Sequence, residues 1–306
     1  MSKAYLSIII AMLIWSVSGI FIKQALITFS PLTLIVMRFT LAAALMLAIG
    51  LICRRSAILR LQRIERKHLP MFVLASLFQP CLYYILETLS YDKLASPTIA
   101  EAMLSTNPIL APILAFLLLR EKITRYNIYG ILVSTAGMLM LVLCGQEQFS
   151  IGDTTGIPIA IAAVMTAVLY SVVLKRIPNQ YTPLSIVFYV QSFSLIFFYP
   201  LWAILDGDNN SFQTAGMDEL LPALCAVAYL AVFASVTAFI LFCYTVRKIG
   251  VTKTNIFNNI RPVFTALFML IIYNEHLPIL KLLGIALVIA GLFLASPLPY
   301  EGKGRG

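Results

Sequence analysis

The sequence predicts an all-α integral membrane protein, with ten transmembrane helices arranged as two inverted five-helix repeats. Three observations predict it. The 306 residues are 60% hydrophobic and 11% charged, whereas a soluble domain is roughly 45–50% apolar and about 25% charged. The apolar residues fall into runs of about 20, the length a helix needs to cross hydrocarbon. One set of landmarks is also written twice, five runs apart.

The runs lie at 4–23, 31–52, 70–91, 96–119, 126–144, 155–175, 183–205, 220–246, 253–273 and 278–297. The first is too long for a typical signal-peptide core and no A-x-A site follows it, so it reads as an uncleaved span. Turn chemistry or charge separates the runs: "SP" at 30–31, "TP" at 182–183, "CRRSAILRLQRIERKH" at 53–68, "REKITR" at 120–125 and "DGDNNSFQTAGMDE" at 206–219. Such runs are not the alternating strands of a membrane barrel, and backbone groups in lipid must pair within their own segment.

Lys and Arg set the direction. With the N-terminus in the cytoplasm, 17 basic residues fall on the inner side, and three, Lys23, Lys93 and Lys281, fall outside. Both termini are therefore expected inside, in the cytoplasmic membrane. The net charge of +9 follows from this topology; no basic groove interleaved with stacking aromatics points to nucleic acid.

The landmarks Pro108, Glu121, Gly130 and Gly137 reappear, without a gap, 154 residues later as Pro262, Glu275, Gly284 and Gly291. "IFIKQALITFSP" (20–31) likewise lies over "VVLKRIPNQYTP" (172–183), offset by 152. Five spans is an odd number, so the second copy enters from the opposite side. Inverted repeats of this kind recur in secondary transporters, with the site near the midplane. Pro108, Pro112 and Pro262 predict irregular helices. Gly130 and Gly137 share one helix face, as do Gly284 and Gly291, and permit close backbone approach. Glu121 and Glu275 are read as structural, each facing the positive pole of the helix that follows.

Ionisable residues within spans are costly, and four remain: Arg38, Glu87, Glu101 and Arg261. Arg38 lies roughly 10 Å from the outer end of its span at 1.5 Å per residue. It reads either as a packing ion pair with Glu87 or as the same pair opening and closing with a cavity. Glu101 either snorkels outward, binds a substrate amine or carries a proton. Arg261, in "NNIRP" with Asn258 and Asn259, reads as a carboxylate site or as a cap on a broken helix. Trp15, Gln79, Tyr83, Tyr84, Tyr170, Tyr229 and Tyr244 are pocket-completing aromatics and amides, or packing. Trp15 lies mid-membrane, where its indole N–H requires a partner.

No catalytic set is expected. His68 and His276 lie in connections, and HExxH, GxSxG and the phosphate-binding GxxxxGK[ST] are absent from the sequence. The five cysteines form no CxxC pair and read as small hydrophobes, with no metal or cofactor implied.

The duplicated P…E…G…G pattern, "SPLTLIVMRFTLAAALML" (30–47) and "YYILETLSYDKLASPTIAEAMLSTNPILAPILAFLLLREKIT" (83–124) resemble the EamA-type branch of the drug/metabolite transporter superfamily. The resemblance covers two units, 5–144 and 155–296. It implies movement of a small organic solute, often export of amino acids or other metabolites, without naming which one. It also implies a cavity lined by helices 1, 3, 4, 6, 8 and 9, with 5 and 10 peripheral. One departure is Arg38, which faces Val190 and Gln191 in the second half. Membrane lipid and a small-molecule substrate are the expected partners, with proton coupling through Glu87 or Glu101 one driving force and facilitated exchange another. A lipid-handling flippase of the same fold is the alternative; oligomeric state is open.

Overall fold

The computed structural model describes residues 2–53, 61–94, 103–104, 106–121, 123–143, 153–206, 216–261, 263–264, 267–268 and 279–295. Every described element is helical. In chain order they are α1 (Ser2–Leu26), α2 (Pro31–Ile52), α3 (69–93), α4 (Asn107–Leu119), α5 (Arg125–Leu143), α6 (Gly156–Arg176), α7 (Pro183–Leu205), α8 (Met217–Ile249), α9 and α10 (Ile279–Ala295). The segment α9 runs through Val251–Ile256 and a 3₁₀ turn at Phe257–Ile260 into helical residues from Arg261. Six helices among the described residues are long and apolar enough to cross a membrane: α1, α2, α3, α6, α7 and α8.

Two starts follow directly from local chemistry. Ser30 accepts a hydrogen bond from the Thr33 N–H, and Pro31 opens α2. Thr182 accepts from Ser185, and Pro183 opens α7. Hydroxyl cap plus proline at the first turn is a strong start signal, and α2 packs along α7.

Two helices change their winding. In α3 the helix is kinked within Leu77–Leu82, where Gln79 leaves helical geometry (φ −151°, ψ 119°) beside Pro80. In α8 a π stretch occupies Leu230–Thr237 with no proline inside it. The kink residues expected from sequence behave differently. The chain breaks at Thr106, and Pro108 opens α4, where its missing N–H breaks no helical bond. Pro112 lies inside α4. Pro262 and Glu275 lie outside the described residues.

The helices α5 and α10 cross with their glycines interlocked. A methyl on Gly137 would stand 2.6 Å from the Gly284 carbonyl oxygen, and one on Gly291 would stand 2.6 Å from that of Gly130. Each glycine thus faces the repeat counterpart of the other's neighbour: 130 meets 291, and 137 meets 284. Asn127 closes the joint by donating to the Ala295 carbonyl at 2.7 Å.

Glu121 differs from expectation in the helix it serves. Its Oε1 accepts from the Val251 N–H at 3.0 Å. Its Oε2 accepts from the Thr252 N–H at 3.2 Å and the Thr252 hydroxyl at 2.9 Å. It therefore caps α9, at a turn made by Gly250 with φ 93°, and not the adjacent α5. Tertiary approach brought a more needy N-terminus within reach. Glu121→Ala is expected to cost about 1–2 kcal/mol, read as a lower unfolding midpoint in detergent, and Glu121→Gln is expected to recover part of it.

One end of the bundle is basic and densely bonded. Lys175 donates to the Arg247 carbonyl at 3.1 Å, Arg176 to the Leu118 carbonyl at 2.5 Å, and Arg247 to Asn179 Oδ1 at 2.9 Å. Gln62 and His68 add bonds to Ser185 and Tyr181. At the other end Asp206 binds Ser30 and accepts from the Thr33 hydroxyl at 2.6 Å, tying α7 to the start of α2.

Candidate functional site

A cavity of about 580 Å³, its open mouth included, runs through the middle of the bundle. Its wall draws on α1, α2, α3, α4, α6, α8 and α9; no lining residue comes from α5 or α10. It reaches Ile22 and Tyr91, near the ends of α1 and α3 that lie away from the basic end.

Arg38 is buried in the wall. Its Nε donates to Ser235 Oγ at 2.6 Å and its Nη2 to the Tyr84 hydroxyl at 3.1 Å. The guanidinium lies 4.6 Å from the Tyr84 ring centroid and 5.4 Å from that of Phe39. Hydroxyls and aromatic faces hold this cation, where the residues suggested an ion pair with Glu87. Glu87 instead accepts from the Tyr83 hydroxyl at 2.8 Å. The positions are geometric neighbours, but Tyr83 stands one helical turn from Glu87 and reaches it within α3.

The π stretch of α8 explains why Arg38 goes elsewhere. Trp15 Nε1 donates to the Ala234 carbonyl at 3.0 Å. Gln191 Nε2 donates to the Ser235 carbonyl at 2.6 Å. A π stretch rewinds its hydrogen-bond ladder, and two of its carbonyls satisfy Trp15 and Gln191, while Arg38 takes the Ser235 hydroxyl. Arg38, from α2, and Gln191, from α7, both converge on Ser235, the arginine at its hydroxyl and the amide at its carbonyl.

In α9 the break before Arg261 is filled by amides. Asn255 donates to the Val251 carbonyl at 3.0 Å and Asn258 to the Asn255 carbonyl at 3.0 Å. Asn255, Asn258 and Arg261 all line the cavity. Among the residues singled out from sequence, the fold brings Trp15, Arg38, Gln79, Tyr83, Glu87, Asn258 and Arg261 to one cavity. Tyr84 joins them. Four candidates fall elsewhere. Asn259 turns to α5, donating to Ser134 Oγ at 2.7 Å, because it is one residue out of phase with Asn258 on the same turn. Tyr170 is fully buried, its ring 6.3 Å from that of Phe239, and is not in the wall. Tyr229 stacks on Phe21 at 4.0 Å and donates to the Ile14 carbonyl, a packing role. Tyr244 is not in the wall. Glu101 lies outside the described residues.

Sequence reasoning missed Asn107, Asn255 and Ser235. For Asn107 a signal existed: it precedes Pro108 as Arg261 precedes Pro262. For Ser235 none did, since no proline or glycine marks the π stretch.

The cavity thus combines cations, a carboxylate, several amides and the aromatic faces of Trp15, Tyr83, Tyr84, Tyr91 and Phe242. The EamA-like transporter family matches this chain twice, over residues 2–143 and 154–296. The chain belongs to the EamA-like transporter family. This EamA-like chain is 30% identical, over 71% of its length, to the uncharacterized transporter YetK of Bacillus subtilis, and the match spans 63% of that relative. It is 25% identical to a probable terminal-alkyne amino-acid exporter of Streptantibioticus cattleyicolor, over 97% of this chain and 94% of that one. It is 23% identical to an S-adenosylmethionine/S-adenosylhomocysteine transporter of Chlamydia trachomatis, over 91% and 84%. A solved crystal structure superposes with a TM-score of 0.74 at 21% identity, covering 96% of this chain and 98% of the other, a likeness of fold. The EamA-like chain is a multi-pass membrane protein of the transporter class.

Proposed function

We propose that this EamA-like protein is a secondary transporter that moves a small dipolar solute of the amino-acid class across the cytoplasmic membrane by alternating access. The observation that carries the reading is the cavity wall, which places Glu87 and Arg261, opposite in sign, around one space with Trp15 and Tyr83. A solute with one ammonium and one carboxylate matches both charges, and the aromatics receive its side chain. Two relatives carry names that include an amino-acid exporter and a transporter of S-adenosylmethionine, itself an amino-acid derivative.

The architecture belongs to the same proposal: ten spans, in two inverted units at 5–144 and 155–296, with both termini cytoplasmic. It is supported by the reciprocal glycine contacts of α5 and α10. It is also supported by the two irregular stretches, the kink in α3 and the π stretch in α8, which begin 153 residues apart. Counterpart positions line one cavity: Trp15 with Ala167, Gly19 with Ser171, Asn107 with Arg261. With the basic end inside, the cavity opens outward and the bonds of Lys175, Arg176 and Glu121 close the inner end. Inward opening then requires those bonds to break.

The test is uptake into liposomes with radiolabelled neutral amino acids. Saturable flux with counterflow is expected. Lipid scrambling without solute flux would move the protein to the flippase class. Glu87 is the proton-site candidate in the cavity wall, with Glu101 the other candidate. Glu87→Gln is expected to abolish acceleration by a pH gradient while sparing exchange; gradient-driven uptake that survives both Glu87→Gln and Glu101→Gln removes the proton from the mechanism.

A further inference from the structure

We infer that Asn107 is a substrate-contacting residue of the first repeat, acting as the amine-side counterpart of Arg261. The inference rests on the transport reading above and adds a specificity residue to it.

Asn107 is 6% exposed and lines the same cavity as Arg261 and Glu87. Its Oδ1 has no hydrogen-bond partner among the described residues. Leaving a buried acceptor unpaired is costly, and native proteins rarely do it without a reason. The Asn259 oxygen also lacks a partner among the described residues, but Asn259 does not line the cavity, and the other buried asparagines donate through their amide nitrogens. Asn127 donates to Ala295, Asn255 to Val251, Asn258 to Asn255 and Asn259 to Ser134. Asn107 sits at the first residue of α4, immediately after the break at Thr106. Its side-chain oxygen, the group that could cap a backbone, remains unused.

The repeat gives the position its meaning. Asn107 and Arg261 stand 154 residues apart, each directly before the duplicated proline, and each borders one cavity. An inverted pair of pre-proline side chains therefore approaches a bound solute from two helices. Arg261 offers donors only, which suit a carboxylate. Oδ1 of Asn107 accepts, as does Glu87, so these two suit the ammonium. Divergence of one duplicated position into arginine and asparagine fixes which way a dipolar solute lies.

The experiment uses the full chain in liposomes with three probes: a neutral amino acid that wild-type protein carries, the matching primary amine and the matching carboxylic acid. Each is measured as a competitor of counterflow. Asn107→Leu is expected to weaken the amino acid and the amine at least tenfold while leaving the carboxylic acid within twofold. Asn107→Asp, which keeps an acceptor in place, is expected to retain the amine. The unfolding midpoint of ligand-free Asn107→Leu should equal or exceed that of wild type, since an unpaired amide has been replaced by an apolar group of similar size. Equal weakening of all three probes, or a fall in midpoint with unchanged selectivity, overturns the assignment and makes Asn107 structural. Wild-type protein that carries none of the probes overturns the transport reading itself and this inference with it.

Discussion

Arg261→Ala is expected to reduce saturable amino-acid uptake about 100-fold or more, mainly through KM. Removing one partner of a desolvated, hydrogen-bonded charge pair costs roughly 2–5 kcal/mol, and 100-fold corresponds to about 2.7 kcal/mol. Arg261 is 8% exposed, and its cavity neighbours Asn255 and Asn258 are amides that cannot replace the lost charge. The effect should follow the substrate carboxylate: the matching primary amine should compete equally well against wild type and variant. Arg261→Lys should recover only part of the loss, because a point charge does not reproduce the planar fork of a guanidinium. The readout is the pair of KM and maximal rate from initial uptake. A variant that keeps wild-type KM for the amino acid would remove Arg261 from the site and leave it as the cap of a broken helix.

Gly291→Leu is expected to prevent stable folding. Real Cβ atoms do not approach other heavy atoms below 3.0 Å, and a Cβ here would stand 2.6 Å from the Gly130 carbonyl oxygen. The obstacle is backbone of the neighbouring helix, which no side-chain rotation relieves. Overpacking of a core costs roughly 1–3 kcal/mol, and separating two helices in close backbone contact should exceed that range. Membrane helices have no hydrophobic drive toward each other within lipid, so close packing contributes much of their association. Loss of a monodisperse species on size-exclusion chromatography, or a collapsed unfolding midpoint, is the expected result. Gly216→Ala is the control, since a Cβ there meets nothing within 4 Å. A Gly291→Leu protein with the wild-type midpoint would show that α5 and α10 do not depend on this contact.

These two residues differ in how well the sequence announced them. Gly291 was legible twice over, through its spacing from Gly284 and through its repeat at Gly137. Its partner across the contact was not. Arg261 was legible as a costly charge before a proline. The starts of α2 and α7 were legible to the residue, because Ser30-Pro31 and Thr182-Pro183 carry their cap and their proline in adjacent positions. Glu121 was correctly read as a helix-pole carboxylate and assigned the wrong helix, for the residues it caps are 130 and 131 positions away. Asn259 was grouped with Asn258 because they are neighbours in sequence, yet one step along a helical turn swings a side chain by roughly 100°.

By itself the sequence determined that this is an all-helical membrane chain with a duplicated family unit, and it marked the short set of polar residues that lipid would not tolerate. Those properties are local or periodic: hydropathy sums over about 20 residues, and a cap acts within one turn. Only the tertiary structure decided that Arg38 meets Ser235 and not Glu87, that Trp15 meets Ala234, and that Asn107 and Arg261 border the same cavity. The reason is rotational. Which face of a helix looks inward depends on how the helix is wound and where it bends, and the kink of α3 at 77–82 and the π stretch of α8 at 230–237 reset that face. Their effect is visible only once neighbouring helices are in place to receive the acceptors they present.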